Sequence, residues 1–188
     1  AGKVRYIGCS NFLAWEVVEG IQVARSHDWP EFATVQPEFS MLEREPEKEL
    51  LHAASKYGTG ILPYYPLASG FLTGKYKRGM ELPEGSRLAR LQWTADQHAT
   101  DAGFDLLESL EKFASERGHT MVELAFAWLL AHPEVSSVIA GATRVEQIVQ
   151  NAAAVEWELT PAEMAELDQI LPGTLGPGTG NLPRRRSL

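Results

Sequence analysis

The stretch that decides the fold reads Ile61-Leu62-Pro63-Tyr64-Tyr65-Pro66-Leu67-Ala68-Ser69-Gly70-Phe71-Leu72-Thr73-Gly74-Lys75. Its first residues are apolar and aromatic and follow Gly58 and Gly60, which predicts a buried strand. From Tyr64 onward the character changes, because Pro66 cannot pair in a strand and the residues after it carry very small side chains. Such a segment lets a ligand lie against backbone amides, and Lys75 supplies a cation for an anion held there.

Two interpretations of this stretch stay open on these residues alone. A nucleotide site would stack the aromatic ring on a heterocycle, place the small residues beside a pyrophosphate and use Lys75 to balance the charge. A strand followed by a tight surface loop would have the same composition, since Gly and Ser mark most loops. A P-loop is excluded, because the spacing from Gly70 to Gly74 and Lys75 is one residue short of that motif and Tyr76 follows.

Length and charge narrow the functional classes. The chain has 188 residues, 44% of them hydrophobic, which suffices for one domain with a core. A formal net charge of -8 argues against a nucleic-acid partner. No apolar segment approaches the ~18 residues that span a bilayer, so we predict no membrane partner and a cytoplasmic location.

Cysteine and histidine usage points away from disulfides and metals. The single cysteine, Cys9, lies in an apolar run and is predicted to be a packing residue. The five histidines do not show the spacing of a metal site, and we predict no metal. The chain starts without methionine and a strand pattern begins almost at once, which predicts an internal start within a longer protein.

Strand and helix patterns alternate along the chain. Strands are predicted at residues 4–8, 32–36, from 61 onward and at 135–140, and helices at 13–26, 45–57, 102–117, 120–131, 145–153 and 160–171. Residues 76–96 are predicted to be a long loop, of the kind that often forms a functional lid. Residues 172–188 are rich in Pro and Gly and are predicted to be an irregular tail after a domain at 1–171.

This alternation predicts a parallel sheet with right-handed crossovers. No G-x-G-x-x-G fingerprint follows the first strand, which leaves an open flavodoxin-like sheet or part of a (β/α)8 barrel. Polar or ligand-compatible residues follow all four predicted strands, at Ser10 and Asn11, Gln36, Tyr64, and 141–143. Barrels keep their chemistry at the carboxyl ends of their strands, so this pattern favours the barrel and a single shared site.

At this point the chain closely resembles the aldo-keto reductase family. The motifs that carry the resemblance are Gly2-Lys3-Val4-Arg5-Tyr6-Ile7-Gly8-Cys9-Ser10-Asn11-Phe12, Val35-Gln36-Pro37, Tyr64-Tyr65-Pro66-Leu67-Ala68-Ser69-Gly70, Leu72-Thr73-Gly74-Lys75-Tyr76 and Ile139-Ala140-Gly141-Ala142-Thr143, with Glu146-Gln147 and Asn151. They span nearly all of the chain up to residue 171.

The resemblance implies a (β/α)8 barrel that binds NADP(H) in an extended form, of which this chain supplies strands five to eight. Residues similar to those that hold the nicotinamide are Ser10, Asn11, Gln36 and, by stacking, Tyr64. Residues similar to the pyrophosphate segment are Tyr65, Pro66, Leu67, Ala68, Gly70 and Lys75. Residues similar to those around the adenosine and its 2′-phosphate are Gly141, Thr143, Arg144, Gln147, Asn151 and Arg87.

The family's proton-transfer tetrad of tyrosine, lysine, aspartate and histidine comes from the first half of the barrel, and no residue here matches it. We therefore expect no catalytic residue in this chain, an inactive isolated fragment, and an absent amino-terminal half of on the order of 130 residues. That half is the expected partner, because four strands alone would leave two unpaired edges and an apolar face open to water.

The function expected from the resemblance is NADP(H)-dependent reduction of aldehydes or ketones to alcohols by hydride transfer. A second hypothesis keeps the fold without catalysis, as a cofactor-sensing protein similar to potassium-channel beta subunits. A third is an unrelated flavodoxin-like binding module that is complete in this chain. The identity of the carbonyl substrate cannot be predicted, because loops set specificity in barrels.

Overall fold

Three short parallel strands and the helices between them organise the chain, and the computed structural model describes residues 2–90 and 92–171. The strands are β1 (Ile7–Ser10), β2 (Phe32–Gln36) and β3 (Gly60–Ile61), in the order β1-β2-β3. The helices are α1 (Ala14–Ser26), α2 (Leu50–Tyr57), α3 (Arg87–Arg90), α4 (Gln92–His98), α5 (Asp101–Glu116), α6 (Met121–Leu130), α7 (Val145–Ala153) and α8 (Pro161–Ile170). Short 3₁₀ turns occupy Glu45–Glu47, Ala68–Thr73 and Ala154–Glu156. The predicted tail at 172–188 lies outside the described residues.

The sheet is parallel, as the alternation of strand and helix predicts. β1 pairs with β2 so that Ser10 lies opposite Gln36, and β2 pairs with β3. Strand β1 approaches β2 closely at Gly8, where an added β-carbon would lie 2.8 Å from the carbonyl oxygen of Thr34. A residue with a side chain at position 8 would therefore push β1 away from β2. The first strand lies at Ile7–Ser10 rather than at residues 4–8.

The predicted fourth strand at 135–140 does not form a regular strand. This segment does run beside β3, because Ile61 donates to the carbonyl of Glu134 at 2.8 Å and Ser136 donates back to Ile61 at 3.0 Å. Ile139 also donates to the carbonyl of Pro63 at 2.9 Å. The two bonds of Ile61 make a single isolated parallel bridge, between Ile61 and Val135, and the pairing does not continue as a regular ladder through residues 136–140.

The predicted long loop at 76–96 contains the two helices α3 and α4. Its Gly- and Pro-rich composition obscured the apolar residues that it buries, which include the fully buried Leu88 and the largely buried Ala95. The start of the segment is fixed to α5 by Arg78, which forms ion pairs with carboxylates at positions 101, 105 and 108. The second part of the segment is therefore helical, while residues 76–86 are irregular as predicted.

The helices begin and end close to the residues that the capping patterns in the sequence predict. Thr120 caps α6 and Thr160 caps α8, and in both cases the glutamate three residues later returns a bond to the cap, as the capping-box pattern predicts. Helix α2 ends at Gly58, whose φ of 71° is the left-handed conformation that glycine adopts readily. The helices at 145–153 and 161–170 also match their predicted positions.

The core lies between the sheet and the helices that follow it. Its largest fully buried side chains include ones from β3, from the segment after β2, from the 3₁₀ turn at Ala68–Thr73 and from α5 and α6. Among them are Phe39, Ile61, Phe71, Leu110, Phe113, Leu124 and Trp128. Within the described residues, no helix is both long and apolar enough to cross a membrane.

In the described part of the chain, large apolar side chains are exposed on α7 and beside β1. Helix α7 buries none of its nine residues, and Val145, Ile148 and Val149 are 71%, 59% and 63% exposed. We call these three residues the α7 face. At the other end of the sheet, Val4 and Tyr6 are 70% and 79% exposed beside β1, and we call this the β1 face. Helices of globular proteins normally bury such apolar stripes.

Truncation of Leu110, which is fully buried on α5, should destabilise the protein. We expect Leu110→Ala to lower the free energy of unfolding by ~2–5 kcal/mol, because the lost methyl groups leave a cavity. Urea unfolding of the full-length protein measures this loss. Lys112→Ala on the exposed side of the same helix is the matched control, and an equal loss in both variants would contradict the burial of Leu110.

Candidate functional site

Polar residues at the ends of β1 and β2 meet at one edge of the sheet. Ser10 and Gln36 are register partners, and the Ser10 hydroxyl donates to the Gln36 carbonyl oxygen at 3.0 Å. The backbone N–H of Asn11 donates to the same carbonyl at 3.1 Å. Three of the residues expected around a nicotinamide ring are thus held together by the pairing of two strands.

Tyr64 joins this group from the residues that follow β3. Its backbone N–H donates to the Pro37 carbonyl at 3.0 Å, which continues the parallel alignment beyond the strand. Its hydroxyl donates to Oδ1 of Asn11 at 2.8 Å, across 53 residues of sequence. The side chains of Asn11 and Tyr64 are therefore direct neighbours, and we call Ser10, Asn11, Gln36 and Tyr64 the strand-end cluster.

The environment of Tyr64 keeps its hydroxyl protonated. Burial, and secondarily the negative charge of Glu38, raise the pKa of Tyr64 from the ordinary value of 10 to about 12. The bond to Asn11 acts in the opposite direction but is the smaller effect. At neutral pH this phenol is a hydrogen-bond donor and holds no negative charge.

The backbone of residues 65–70 is held in unusual conformations. Tyr65, Ala68 and Ser69 have φ values of 54°, 45° and 57°, and Gly70 has 92°. Of the five non-glycine residues with positive φ in the described ranges, three lie in this short segment. Side chains disfavour this region, and such strain concentrates at ligand sites. Burial of Pro66, Ala68 and Ser69 holds the backbone in place, while Leu67 is half-buried.

Two cations lie against this segment. Lys75 stands beside Gly70, since a β-carbon added to Gly70 would lie 3.2 Å from Nζ, and its ammonium group lies 4.9 Å from the centre of the Tyr76 ring. The guanidinium of Arg87, on α3, lies 4.7 Å from the centre of the Tyr65 ring and donates to its hydroxyl at 3.3 Å. The segment at 65–70 thus has a positive charge near each of its ends, Lys75 at Gly70 and Arg87 at Tyr65.

The last group of predicted residues lies at the start of α7. Both the N–H and the hydroxyl of Thr143 donate to Oε1 of Gln147, at 2.8 and 3.2 Å. Arg144, the N-cap residue, and Gly141 are exposed. Asn151 lines an open groove between α6 and α7. The bond from Ile139 to Pro63 joins this region to the residues just before Tyr64.

Sequence reasoning placed these residues in one site but missed the contacts that link them. Asn11 and Tyr64, and likewise Tyr65 and Arg87, are separated by many residues, so no local pattern predicts their bonds. It also missed His98, which is buried against Phe71 and whose pKa burial lowers to about 4. Neutral His98 packs the inner side of α4.

The arrangement does not offer a metal centre where the chain is described. No group of three or more His, Cys, Asp or Glu residues in those ranges could hold an ion. The absence of a metal in the working protein stays a prediction from sequence.

Comparison with known proteins gives a consistent result. The family model described as "Aldo/keto reductase family" matches residues 1–172. The chain is 39% identical over 177 residues to a putative voltage-gated potassium channel subunit beta of Schizosaccharomyces pombe, covering 90% of this chain and 51% of that protein. It is 34% identical to the uncharacterized oxidoreductase YrpG of Bacillus subtilis, covering 94% of this chain and 52% of that protein.

A third relative is L-glyceraldehyde 3-phosphate reductase of Escherichia coli O157:H7, 32% identical over 176 residues that cover 90% of this chain and 50% of the relative. The chain thus spans about half the length of the curated relatives it matches.

The raised pKa of Tyr64 gives a pH-dependent prediction. An unfolded chain releases the phenolic proton near pH 10 and the folded site near about 12, so the part of the stability that depends on this proton is complete below pH 10 and is lost as pH rises to about 12. Tyrosinate absorbance should show a late-titrating component that Tyr64→Phe removes. Tyr57→Phe, which removes a hydroxyl on α2, is the control, and persistence of the late component in Tyr64→Phe would contradict the assignment.

Proposed function

Because the chain belongs to the aldo/keto reductase family, we propose that it carries the NADP(H)-binding half of a (β/α)8 barrel that transfers hydride between the cofactor and an aldehyde or ketone. The observation that supports this most directly is the strand-end cluster, where amide and hydroxyl groups from three neighbouring chain segments meet beside an aromatic ring. Barrel enzymes keep their chemistry at this end of the strands.

The nicotinamide is proposed to lie over the strand-end cluster. Its carboxamide needs both donors and acceptors, which the side chains of Asn11 and Gln36 provide. Tyr64 offers an aromatic ring beside them. The cofactor, when bound, supplies the hydride; the contribution of these residues is to hold the reactive ring in one orientation, which lowers the entropic part of the barrier.

The pyrophosphate is proposed to lie along residues 65–70. The amides of Ala68 and Gly70 already donate to the carbonyls of Tyr65 and Leu67 within this tight turn, so an anion here would be held mainly by the charged side chains nearby. Lys75 lies beside Gly70 and Arg87 beside Tyr65, and both would neutralise part of the charge. Arg87 also ties α3 to Tyr65, so α3 would cover a dinucleotide bound there.

The adenosine end is proposed to lie at the start of α7. The amino terminus of a helix favours a phosphate because its first amides are unpaired and its dipole is positive there. Arg144 is exposed at this terminus and could pair with a 2′-phosphate. Gln147 occupies the polar groups of Thr143, so its free amide nitrogen is the group left to contact the ligand.

The proposal is tested by NADPH titration of the full-length protein, followed by NADPH oxidation with a simple aldehyde. We expect binding at micromolar cofactor and carbonyl-dependent oxidation. Absence of binding would overturn the cofactor assignment. The proton donor is proposed to come from outside this chain, since none of its residues matches the family's tetrad, and the isolated chain is accordingly expected to be inactive.

A second candidate function is supported by the relatives named as potassium channel beta subunits, at 39% and 36% identity. It is an NADP(H)-binding protein whose role is to sense the cofactor. The two functions differ in turnover, because a sensor would bind NADPH tightly and oxidise it slowly or not at all with added carbonyl compounds. The cytoplasmic location predicted from the sequence stays a prediction in both cases.

Arg144 provides a sharp test of the adenosine assignment. We expect Arg144→Ala to weaken NADPH binding about tenfold or more while changing NADH binding little, because only NADPH carries the 2′-phosphate. Calorimetry with both cofactors measures the difference. Arg90→Ala removes an exposed arginine that donates to the Gly85 carbonyl and serves as the control. Equal losses for NADPH and NADH would contradict the assignment.

We also propose that a complementary half-barrel packs against the α7 face and the β1 face. Its support is the exposure of these apolar residues at opposite ends of the sheet, together with relatives of about twice this length. The complement would pair with β1, cover the stripe on α7 and bring in the proton donor. Closing the sheet in this way removes both unpaired edges.

A substitution on the α7 face tests whether a complementary half-barrel covers this helix or whether the helix stays exposed to water. In the full-length protein we expect Ile148→Asp to lower the free energy of unfolding by about 2 kcal/mol or more, because the carboxylate would be buried without a partner. Gln150→Asp places the same residue on an exposed position of α7 and is the control. If urea unfolding gave the same midpoint for both variants, the α7 face would not be covered.

A further inference from the structure

The hydrogen bond between Tyr64 and Asn11 constrains the amide of Asn11. A primary amide presents an acceptor at one end and a donor at the other, and the two ends look alike in shape. Here Oδ1 accepts from the Tyr64 hydroxyl at 2.8 Å. A protonated phenol can donate or accept, so it is the orientation of the amide in the structure that sets the direction of this bond: Oδ1 faces Tyr64 and Nδ2 lies at the other end of the amide.

The backbone of Asn11 is fixed as firmly as its side chain. Its φ of 59° lies in the left-handed region, which asparagine tolerates better than most residues. Its N–H donates to the carbonyl of Gln36 at 3.1 Å. With the backbone N–H and Oδ1 engaged, Nδ2 is the donor of Asn11 that is left to meet a ligand.

Resting on the proposed function, we propose that Tyr64 is a positioning residue: its hydroxyl locks the Asn11 amide so that Nδ2 donates to the carboxamide oxygen of the nicotinamide. The nicotinamide ring has two faces, and which one meets the substrate depends on how its carboxamide is held. Tyr64 would then contribute to cofactor binding in two ways: its ring would stack on the nicotinamide, and its hydroxyl would orient the side chain of Asn11. A stacking aromatic without this hydroxyl would leave the amide free to rotate.

The alternative is that the hydroxyl only satisfies a half-buried polar group and has no effect on the cofactor. The two differ in whether Tyr64 acts through Asn11. Tyr64→Phe keeps the ring and removes the bond, and Asn11→Gly removes the amide while allowing the positive φ. A double-mutant cycle with these variants isolates the coupling between the two residues.

The experiment measures NADPH affinity by calorimetry for the full-length wild type, both single variants and the double variant. Loss of one oriented hydrogen bond predicts that Tyr64→Phe weakens binding about three- to tenfold. In the Asn11→Gly background the same change should have little further effect. Thionicotinamide-NADPH should show a smaller loss with Tyr64→Phe, because sulfur is a weak acceptor. Tyr57→Phe is the control for removing a phenolic hydroxyl elsewhere.

The possible results distinguish the positioning role of Tyr64 from NADPH binding itself. If the wild type bound NADPH and Tyr64→Phe bound it equally well, the positioning role would be wrong and the proposed function would stand. The positioning role would also be wrong if Tyr64→Phe weakened NADPH binding equally in the wild-type and Asn11→Gly backgrounds, since Tyr64 would then act by packing. If the wild type failed to bind NADPH, both would be overturned together. Circular dichroism of each variant establishes that affinity is compared between folded proteins.

Discussion

The parallel pairing of β1 with β2 is the constraint on which the rest of the site depends. It sets Ser10 opposite Gln36. The backbone carbonyl of Gln36 then accepts hydrogen bonds from the Ser10 hydroxyl and from the backbone N–H of Asn11. The approach is close enough that Gly8 cannot carry a side chain. A shift of one residue in this register would turn Gln36 to the other face of the sheet and separate it from Asn11.

The other parts of the site lie next to this strand pair, in the order in which they follow along the chain. β3 brings Tyr64 to Asn11, and the segment after Glu134 follows β3 and brings the start of α7 to the same edge. The chain belongs to the aldo/keto reductase family, and the cofactor that we propose for it would lie along these strand ends. The exposed faces at both ends of the sheet fit a larger closed barrel.

The sequence predicted the elements better than their contacts. Strand 32–36, the caps at Thr120 and Thr160 and helix 145–153 carry local signals, namely alternation, a capping box and helical periodicity, and the structure confirms them. The loop predicted at 76–96 is confirmed for residues 76–86 and wrong for α3 and α4, because the few buried apolar residues of these short helices are widely spaced. The fourth strand was wrong because regular pairing depends on neighbours that composition does not reveal. The contacts between Tyr64 and Asn11 and between Arg87 and Tyr65 depend on tertiary structure, which no local pattern encodes.

The left-handed backbone at Ala68 and Ser69 also limits how this protein can vary. Both side chains are buried, so a larger residue would meet its neighbours, and a residue branched at Cβ would clash with its own carbonyl in this conformation. Chain geometry therefore selects small residues here before any contact with a ligand is considered. Mutational tolerance at these two positions therefore reports on the shape of the backbone.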